Sequence, residues 1–310
     1  MSFSEYMNET VMPFLDDRRE TRQITTRDGK PLHCEIFNAD TPRGTVYIIH
    51  GFTENAVKYS ELIYNFLIRS VSVCIYEQRG HGRSYRPVQD KTLTHIDRFE
   101  QYVSDFEDVL DATSDAIQPY YLFAHSMGCA VAGLFLEKGG DDFIKAVFSS
   151  PMIAPTHGGY PLWVTKAICR AAIVFGKKQK RIFVAKPYPG KEEFSTSCAT
   201  DEEKFSYFEA IKRNNENFHN YSPTYKWLYE SLRVTKKLLA EGAVERISVP
   251  VLMFSAELDD VVLPEPQREF ASRLGAGIIS EVAGAKHEIF LSKDEVTKPY
   301  FETVMNFYEI

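Results

Sequence analysis

The sequence predicts an α/β protein in which a mostly parallel sheet is flanked by helices and carries a helical insertion. Short runs that are apolar on both faces recur along the chain, as in parallel strands covered by helices. Helix-length segments separate these runs. About a hundred residues divide the run ending near Ser150 from the run beginning near Val251, which is far more than one crossover needs. The 310 residues suffice to bury the core of an eight-stranded sheet.

The first strands are predicted as a hairpin followed by a buried strand. Residues 22–26 and 32–37 are strand-like and flank an Asp28-Gly29 turn, which favours an antiparallel pair. Residues 46–49 are uniformly apolar and predict the buried third strand.

Beyond residue 50, strands and helices alternate. The later strands are predicted at 71–76, 120–124, 146–150, 251–255 and 277–282. The helices are predicted at 59–68, 96–117, 127–137, 265–274 and 293–308. This alternation is typical of parallel strands connected by helices.

We place the insertion at 155–235, between core segments 1–154 and 236–310. It opens at a stretch rich in proline and glycine and closes on the helical segment P-T-Y-K-W-L-Y-E-S-L. Residues 162–175 form an apolar helical run, which we expect to be covered rather than exposed. The basic run 177–181 is interpreted as solvated surface, with contact to phosphate or lipid headgroups as the alternative.

Composition excludes several classes of protein. A net charge of −7 offers no long-range attraction for nucleic acid. The five cysteines have no spacing typical of a zinc site or a disulfide framework, so we expect free thiols in a reducing compartment. Neither a secretory signal nor a membrane span is recognisable. We therefore expect a cytoplasmic protein, with peripheral contact at the inner face of the membrane left open.

The segment A-H-S-M-G places Ser126 between a predicted strand and a predicted helix. A serine at so sharp a turn has strained backbone angles and an exposed hydroxyl, and it needs small residues two positions before and after it. Ala124 and Gly128 meet that need. We interpret Ser126 as a nucleophile; a helix-capping serine is the alternative.

Acyl transfer needs two N–H donors aimed at the developing oxyanion. The backbone N–H of Met127, directly after the nucleophile, is one candidate. The second is the N–H of Phe52, in the H-G-F segment after the third strand. An ordinary turn is the alternative interpretation of that segment.

An acid and a histidine should follow, each on a loop after a late strand. The segment A-E-L-D-D-V-V offers Glu257, Asp259 and Asp260, of which we favour Asp259. Of the eight histidines, His287 alone lies after these acids, and we interpret it as the general base. His125 and His81 are interpreted as structural.

Taken together, these segments resemble the α/β-hydrolase branch of bacterial lysophospholipases and monoacylglycerol lipases, over most of residues 20–310. The resemblance rests on H-G-F, Y-E-Q-R-G-H-G-R-S, H-I-D-R-F-E-Q-Y-V-S-D, A-H-S-M-G, P-T-Y-K-W-L-Y-E-S-L, D-D-V-V and G-A-K-H-E-I-F. It implies an eight-stranded sheet and a helical cap that covers the nucleophile and lines an apolar acyl pocket. Two departures are Ala124, in place of the usual first glycine, and Glu77-Gln78, where the family often has an aspartate.

The function implied is hydrolysis of carboxylic esters of monoacyl lipids through an acyl-enzyme, with no metal and no organic cofactor. A serine aminopeptidase of the same fold is one alternative. A non-catalytic binding module is the alternative from another class. If residues 162–175 line the acyl pocket, we expect Trp163 and Phe175 to set the preferred chain length; packing on other cap helices is the alternative.

Overall fold

The computed structural model describes residues 1–140, 142–157 and 159–310. One eight-stranded sheet dominates these residues. Its strands are β1 Arg19–Thr25, β2 Pro31–Phe37, β3 Thr45–Ile49, β4 Ser72–Tyr76, β6 Tyr120–His125, β7 Phe143–Ser149, β9 Val251–Ala256 and β10 Gly277–Val282. They lie side by side in the order β1-β2-β4-β3-β6-β7-β9-β10. The two-residue strands β5 Leu93–Thr94 and β8 Ser222–Pro223 pair separately.

The strand directions confirm the predicted fold class. β1 pairs antiparallel with β2, and β2 pairs antiparallel with β4. All other neighbours in the large sheet run parallel. The hairpin turn uses Gly29 at a φ of 74°, a left-handed conformation that glycine adopts without a steric penalty.

Helices cover both faces of the sheet. Within the described residues they are α1 Phe3–Tyr6, α2 Met12–Asp16, α3 Ser60–Leu67, α4 Glu100–Ala112, α5 Met127–Leu136, α6 Leu162–Val174, α7 Glu202–Asn214, α8 Tyr225–Leu238, α9 Pro264–Arg273 and α10 Asp294–Tyr308. A π-helical turn, Met7–Val11, joins α1 to α2. None of these helices is long and apolar enough to cross a membrane.

Two cores lie on opposite faces because side chains alternate along each strand. Tyr47 and Ile49 of β3 belong to the core shared with α4, α5 and α9. Val46 and Ile48 belong to the core shared with α3, α10 and the N-terminal helices. Continuous apolar strands are therefore buried on both sides.

The predicted helix at 96–117 is too long at both ends, because the structure has α4 only from Glu100 to Ala112. Ile96 and Phe99 are buried although they precede the helix. Their apolar spacing therefore continues the helical pattern of the sequence beyond the real start of α4. At the other end, the Thr113 hydroxyl donates to the Val109 carbonyl oxygen at 2.7 Å. Pro119 then follows, and helices rarely continue into a residue that precedes proline.

The segment between β7 and β9 contains α6, α7 and α8. Helix α8 packs against α6 and against the core helix α5. Its Trp227, Val234 and Leu238 are buried with the core of the sheet. The segment is thus anchored to the sheet domain through α8.

Candidate active site

Ser126 lies at the turn between β6 and α5 and has φ 51° and ψ −116°, a conformation rarely adopted by a residue with a side chain. The turn is tight because α5 begins against the end of β3. A Cβ atom on Gly128 would lie 2.0 Å from the Ile49 carbonyl oxygen, so glycine alone fits there. This packing holds the serine beside the carboxyl edge of the sheet.

Three side chains from separate loops form a hydrogen-bonded series. The Ser126 hydroxyl oxygen lies 2.7 Å from His287 Nε2. His287 Nδ1 lies 2.8 Å from Asp259 Oδ2. An ionised carboxylate can only accept, so the ring donates from Nδ1 and its Nε2 lone pair faces the serine hydroxyl. This arrangement is suited to proton transfer from serine to histidine.

The Asp259 carboxylate is held in its charged form. Its Oδ1 accepts the N–H groups of Val261 at 2.9 Å and Val262 at 3.2 Å. Although burial opposes ionisation, these bonds and the one from His287 hold the pKa of Asp259 below its ordinary value. A carboxylate in this state can stabilise a protonated imidazole.

The two competing acids point elsewhere. Glu257 is exposed, and its Oε2 accepts the Gly284 N–H at 2.7 Å. Asp260 is also exposed. Among the three acids of this loop, the structure brings Asp259 to His287.

The two predicted N–H donors belong to the start of α5 and to the loop after β3. Met127 is the first residue of α5, and the first N–H groups of a helix have no acceptor within it. Phe52 follows β3, whose end touches the start of α5. The Phe52 ring lies against the Trp227 ring with centroids 4.0 Å apart, which links this loop to α8.

Sequence reasoning missed Glu54, a buried carboxylate at the centre of the site. It accepts the Gly51 N–H at 2.6 Å, the Tyr59 hydroxyl at 2.5 Å and His125 Nδ1 at 3.2 Å. His125 Nε2 lies 3.2 Å from the His287 carbonyl oxygen. Glu54 thereby connects the loop of Phe52, the residue before Ser126 and the backbone of His287.

His125 must be positively charged to satisfy this geometry. Both of its ring nitrogens face atoms that only accept hydrogen bonds, so both carry a proton. Burial opposes that charge, but the Glu54 carboxylate outweighs it and raises the pKa of His125. In turn, His125 and Lys58 overcome the effect of burial and hold the pKa of Glu54 well below its ordinary value.

The Glu77-Gln78 segment supports the loop after β3. Gln78 N–H donates to His50 Nε2 at 2.9 Å, and Gln78 Nε2 donates to the His50 carbonyl oxygen at 2.5 Å. Glu77 is buried and pairs with Arg83 at 2.9 Å. His81 is buried beside His50, and burial lowers its pKa well below the ordinary value.

Two cavities, one apolar and one polar, are lined in part by residues between β7 and β9. An apolar cavity of about 180 Å³ lies between α6 and α8 and is lined by residues that include Ile168, Cys169 and Leu228. A polar cavity of about 220 Å³ is lined by residues that include Thr53 and Glu288, which directly follow Phe52 and His287.

The expectation that residues 162–175 are covered is wrong for much of α6. Trp163 is 73% exposed, Val174 74% and Phe175 78%. Neither Trp163 nor Phe175 lines the apolar cavity; Thr165, Ile168 and Cys169 do so instead. Only one stripe of the helix packs against α8, so its outer face meets solvent.

Comparison with known proteins identifies relatives over the whole chain. The chain is 26% identical over 317 aligned residues to the probable lysophospholipase L2 of Haemophilus influenzae, covering 99% of this chain and 97% of that protein. It is 26% identical to lysophospholipase L2 of Escherichia coli, over 96% of this chain and 91% of that one. A monoacylglycerol lipase of Mycolicibacterium smegmatis matches over 45% of this chain and 49% of its own, at 26% identity.

Solved structures show the same fold. A soluble variant of monoglyceride lipase from Saccharomyces cerevisiae, with a bound substrate analogue, superposes with a TM-score of 0.73. It is 18% identical, over 94% of this chain and 96% of that chain. These likenesses confirm the α/β-hydrolase fold. The sequence model described as serine aminopeptidase, S33, matches residues 40–294. The chain therefore belongs to the S33 serine aminopeptidase family of α/β-hydrolases.

Proposed function

We propose that the protein is a serine hydrolase that cleaves the carboxylic ester of monoacyl lipids, either lysophospholipids or monoacylglycerols. The observation that carries the proposal is the hydrogen-bonded series Ser126–His287–Asp259, with distances of 2.7 and 2.8 Å. The names of the relatives, lysophospholipase L2 and monoacylglycerol lipase, supply the substrate class.

In this mechanism Ser126 attacks the ester carbonyl while His287 Nε2 takes the hydroxyl proton. The same proton passes to the leaving alcohol, and water, activated by His287, releases the acyl group. Asp259 orients the ring and stabilises the imidazolium. The N–H groups of Phe52 and Met127 receive the oxyanion.

We further propose that residues 155–235 act as a cap and that the apolar cavity receives the acyl chain. The Thr156 N–H donates to the Val261 carbonyl oxygen at 2.9 Å, which ties the start of this segment to the loop of Asp259. Leu228 lines the cavity and follows Trp227, whose ring contacts Phe52. The cavity is thus connected through α8 to the proposed oxyanion loop. Burial of an acyl chain in it would contribute about 0.8 kcal/mol per methylene.

Aminopeptidase activity is the second candidate, because the family carries that description. The cap also supplies two carboxylates to the polar cavity, Glu192 and Glu209, which could receive a substrate amine. A binding module without catalytic activity is the third hypothesis.

The test uses a fluorophosphonate probe and a substrate panel. We expect the probe to label the wild type and not Ser126→Ala, and esters of monoacyl lipids to be hydrolysed in preference to aminoacyl anilides. Preferred turnover of anilides would support the aminopeptidase. Equal labelling of wild type and Ser126→Ala, or none of either, would support the binding module.

We also propose that the outer face of α6 contacts a membrane surface. The most exposed large apolar side chains of this region are Trp163 and Val174 of α6 and Phe175, the residue directly after it. The adjoining segment carries Lys177 and Lys180, both exposed, which can approach anionic headgroups. Exposed apolar side chains beside cations are typical of an interfacial membrane contact.

Sedimentation with vesicles tests this contact. We expect binding to vesicles that contain anionic lipid, and a loss of binding in Trp163→Ser/Phe175→Ser, while turnover of a short soluble ester is retained. Ile278→Ser, at an exposed apolar position of β10 (56% exposed), is the matched control. Wild-type sedimentation of the double variant would refute the contact.

A further inference from the structure

The polar cavity is bordered by the two loops that carry the proposed oxyanion donor and the proposed base. Two of its lining residues, Thr53 and Glu288, directly follow the proposed oxyanion donor Phe52 and the proposed base His287. The apolar cavity, by contrast, is bordered by α6 and α8. A volume of about 220 Å³ is below the roughly 300 to 1,000 Å³ of pockets for whole ligands, so it suits part of a substrate.

The lining of this cavity is charged with both signs. Of the residues that the structure describes, those carrying formal charge in the lining are Lys58, Lys212, Glu192, Glu209 and Glu288. Two cations and three carboxylates give a formal charge of −1. Neutral glycerol needs no such set of charges.

The cations and carboxylates are arranged as partly buried pairs. Lys58 Nζ lies 2.5 Å from Glu288, and Lys212 pairs with Glu192. Burial lowers the pKa of Lys212 in spite of that carboxylate. A second anion beside Lys212 would therefore compensate for water that the ammonium group has lost.

One buried polar atom in the lining has no partner. Asn55 is 8% exposed, and its Oδ1 forms no hydrogen bond within the structure. Buried polar atoms are almost always bonded, so this oxygen is available to a hydrogen-bond donor that enters the cavity. An oxygen acceptor calls for a donor, such as a hydroxyl or a protonated amine.

We propose that this cavity binds the zwitterionic headgroup of a lysophospholipid, with the phosphate at Lys212 and the ammonium group at Glu192 and Glu209. The inference rests on the proposed ester hydrolysis and specifies where the leaving alcohol is recognised. The phosphate binds the Lys212 ammonium beside Glu192, and Glu192 and Glu209 pair with the substrate ammonium. A purely anionic headgroup would leave its phosphate and Glu192 sharing one cation, Lys212.

The test compares octanoyl esters that differ only in the alcohol: lysophosphatidylethanolamine, lysophosphatidylglycerol, monooctanoylglycerol and p-nitrophenol. We expect the wild type to prefer the zwitterionic ester. Lys212→Met should lower kcat/KM for both phosphate-bearing esters by about ten-fold or more, because a charge-assisted hydrogen bond is lost. Its turnover of the p-nitrophenyl ester should stay within about two-fold.

Glu209→Gln should lower kcat/KM only for lysophosphatidylethanolamine, since only that headgroup carries an ammonium group. Lys212→Arg should restore most of the activity lost in Lys212→Met. Lys191→Met removes an exposed lysine of the same segment that does not line the cavity, and it serves as the matched control. Inhibition of p-nitrophenyl octanoate hydrolysis by glycerophosphoethanolamine should weaken in Lys212→Met.

Two failures are distinguishable. A wild type that hydrolyses none of the four esters would refute the proposed function itself. A wild type that hydrolyses them while Lys212→Met and Glu209→Gln change all four rates equally, or change none, would refute only the headgroup site. Thermal unfolding of each variant separates loss of fold from loss of recognition.

Discussion

At the scale of single residues, the Glu54 carboxylate connects the loop after β3 to the segments that carry Ser126 and His287. Glu54 bonds the loop of the proposed oxyanion donor, and through His125 it reaches the backbone of His287. None of these hydrogen bonds involves the Ser126 hydroxyl or the His287 ring, the groups proposed to react. Glu54 and His125 are therefore positioning residues, and their charges stabilise each other at buried positions.

We expect Glu54→Gln to lower kcat about ten-fold with little change in KM, because the binding cavities remain while the catalytic loops lose their alignment. It should also destabilise the fold by about 3 kcal/mol, since it leaves His125 without its counter-charge. Steady-state kinetics measures kcat and KM, and denaturant unfolding measures the free energy of unfolding. Glu193→Gln, at an exposed position, is the control, and unchanged kcat and stability in Glu54→Gln would contradict the prediction.

The second prediction at this scale separates neighbouring acids. Asp259→Asn should reduce kcat by about 10³- to 10⁴-fold, because an amide holds the imidazole in the wrong tautomer. Asp260→Asn, next to it and exposed, should remain active. The reverse result would reassign the acid.

How much of the site is predictable depends on whether a residue is marked by its local context. Ser126 is recognisable because its strand–turn–helix segment accepts only small residues two positions before and after the serine. His287 is recognisable because it follows the candidate acids in the chain. No sequence motif identifies Glu54, because its contacts with Tyr59 and His125 form only when the chain folds. The one local signal is its bond to the Gly51 N–H, three residues earlier.

At the scale of elements, α6 differs most from its sequence prediction. Its apolar composition predicts burial, yet Cys169 is its one side chain, among those described, that is classed as fully buried. Composition cannot distinguish a helix covered by protein from a helix that faces a lipid surface, since both present apolar side chains. The packing of α8 against one face of α6 defines which side chains are covered and which are exposed.

We expect Ile168→Trp to shorten the preferred acyl chain. The larger ring should fill part of the apolar cavity and exclude terminal methylenes, each of which contributes about 0.8 kcal/mol when buried. A series of p-nitrophenyl esters measures the profile, with butyrate as the reference for intact chemistry. Trp163→Ala, on the exposed face of the same helix, should keep the wild-type profile. The same profile in Ile168→Trp and wild type would place the acyl chain elsewhere.

At the scale of the whole molecule, the sheet and its two cores follow from the sequence because their signals are periodic and repeated. Uniformly apolar strands separated by helices admit few arrangements, since parallel crossovers are almost always right-handed. The N-terminal helices were not predicted. They bury Met7, Val11 and Leu15 at a spacing of four residues, too few turns to stand out in the sequence.

Stability should depend on pH through Glu137, at the end of α5. Burial raises its pKa to about 7, although Arg246 and Arg273 oppose the effect. The folded chain therefore holds this proton at pH values where the unfolded chain has lost it, so stability falls as pH rises from about 4.5 to about 7. We expect Glu137→Gln to abolish this decline.

Thermal unfolding across this pH range measures the effect, which amounts to at most about 3 kcal/mol. The difference in Tm between Glu137→Gln and wild type should be small near pH 4.5 and largest above pH 7. Glu302→Gln, at an exposed position of α10, should show no such trend. A constant difference across the range would contradict the assignment.

The contact between Phe52 and Trp227 places a natural fluorophore, the Trp227 indole, beside the proposed oxyanion loop. The chain has two tryptophans, and they lie in opposite environments: Trp163 is 73% exposed, and Trp227 is 5% exposed with its ring against the proposed oxyanion loop. Iodide quenches indole emission by collision, so it should reduce the emission of exposed Trp163 and spare that of buried Trp227. In Trp163→Phe the remaining fluorescence arises from Trp227 alone. Ligand arrival at the loop can then be followed in real time without an attached dye.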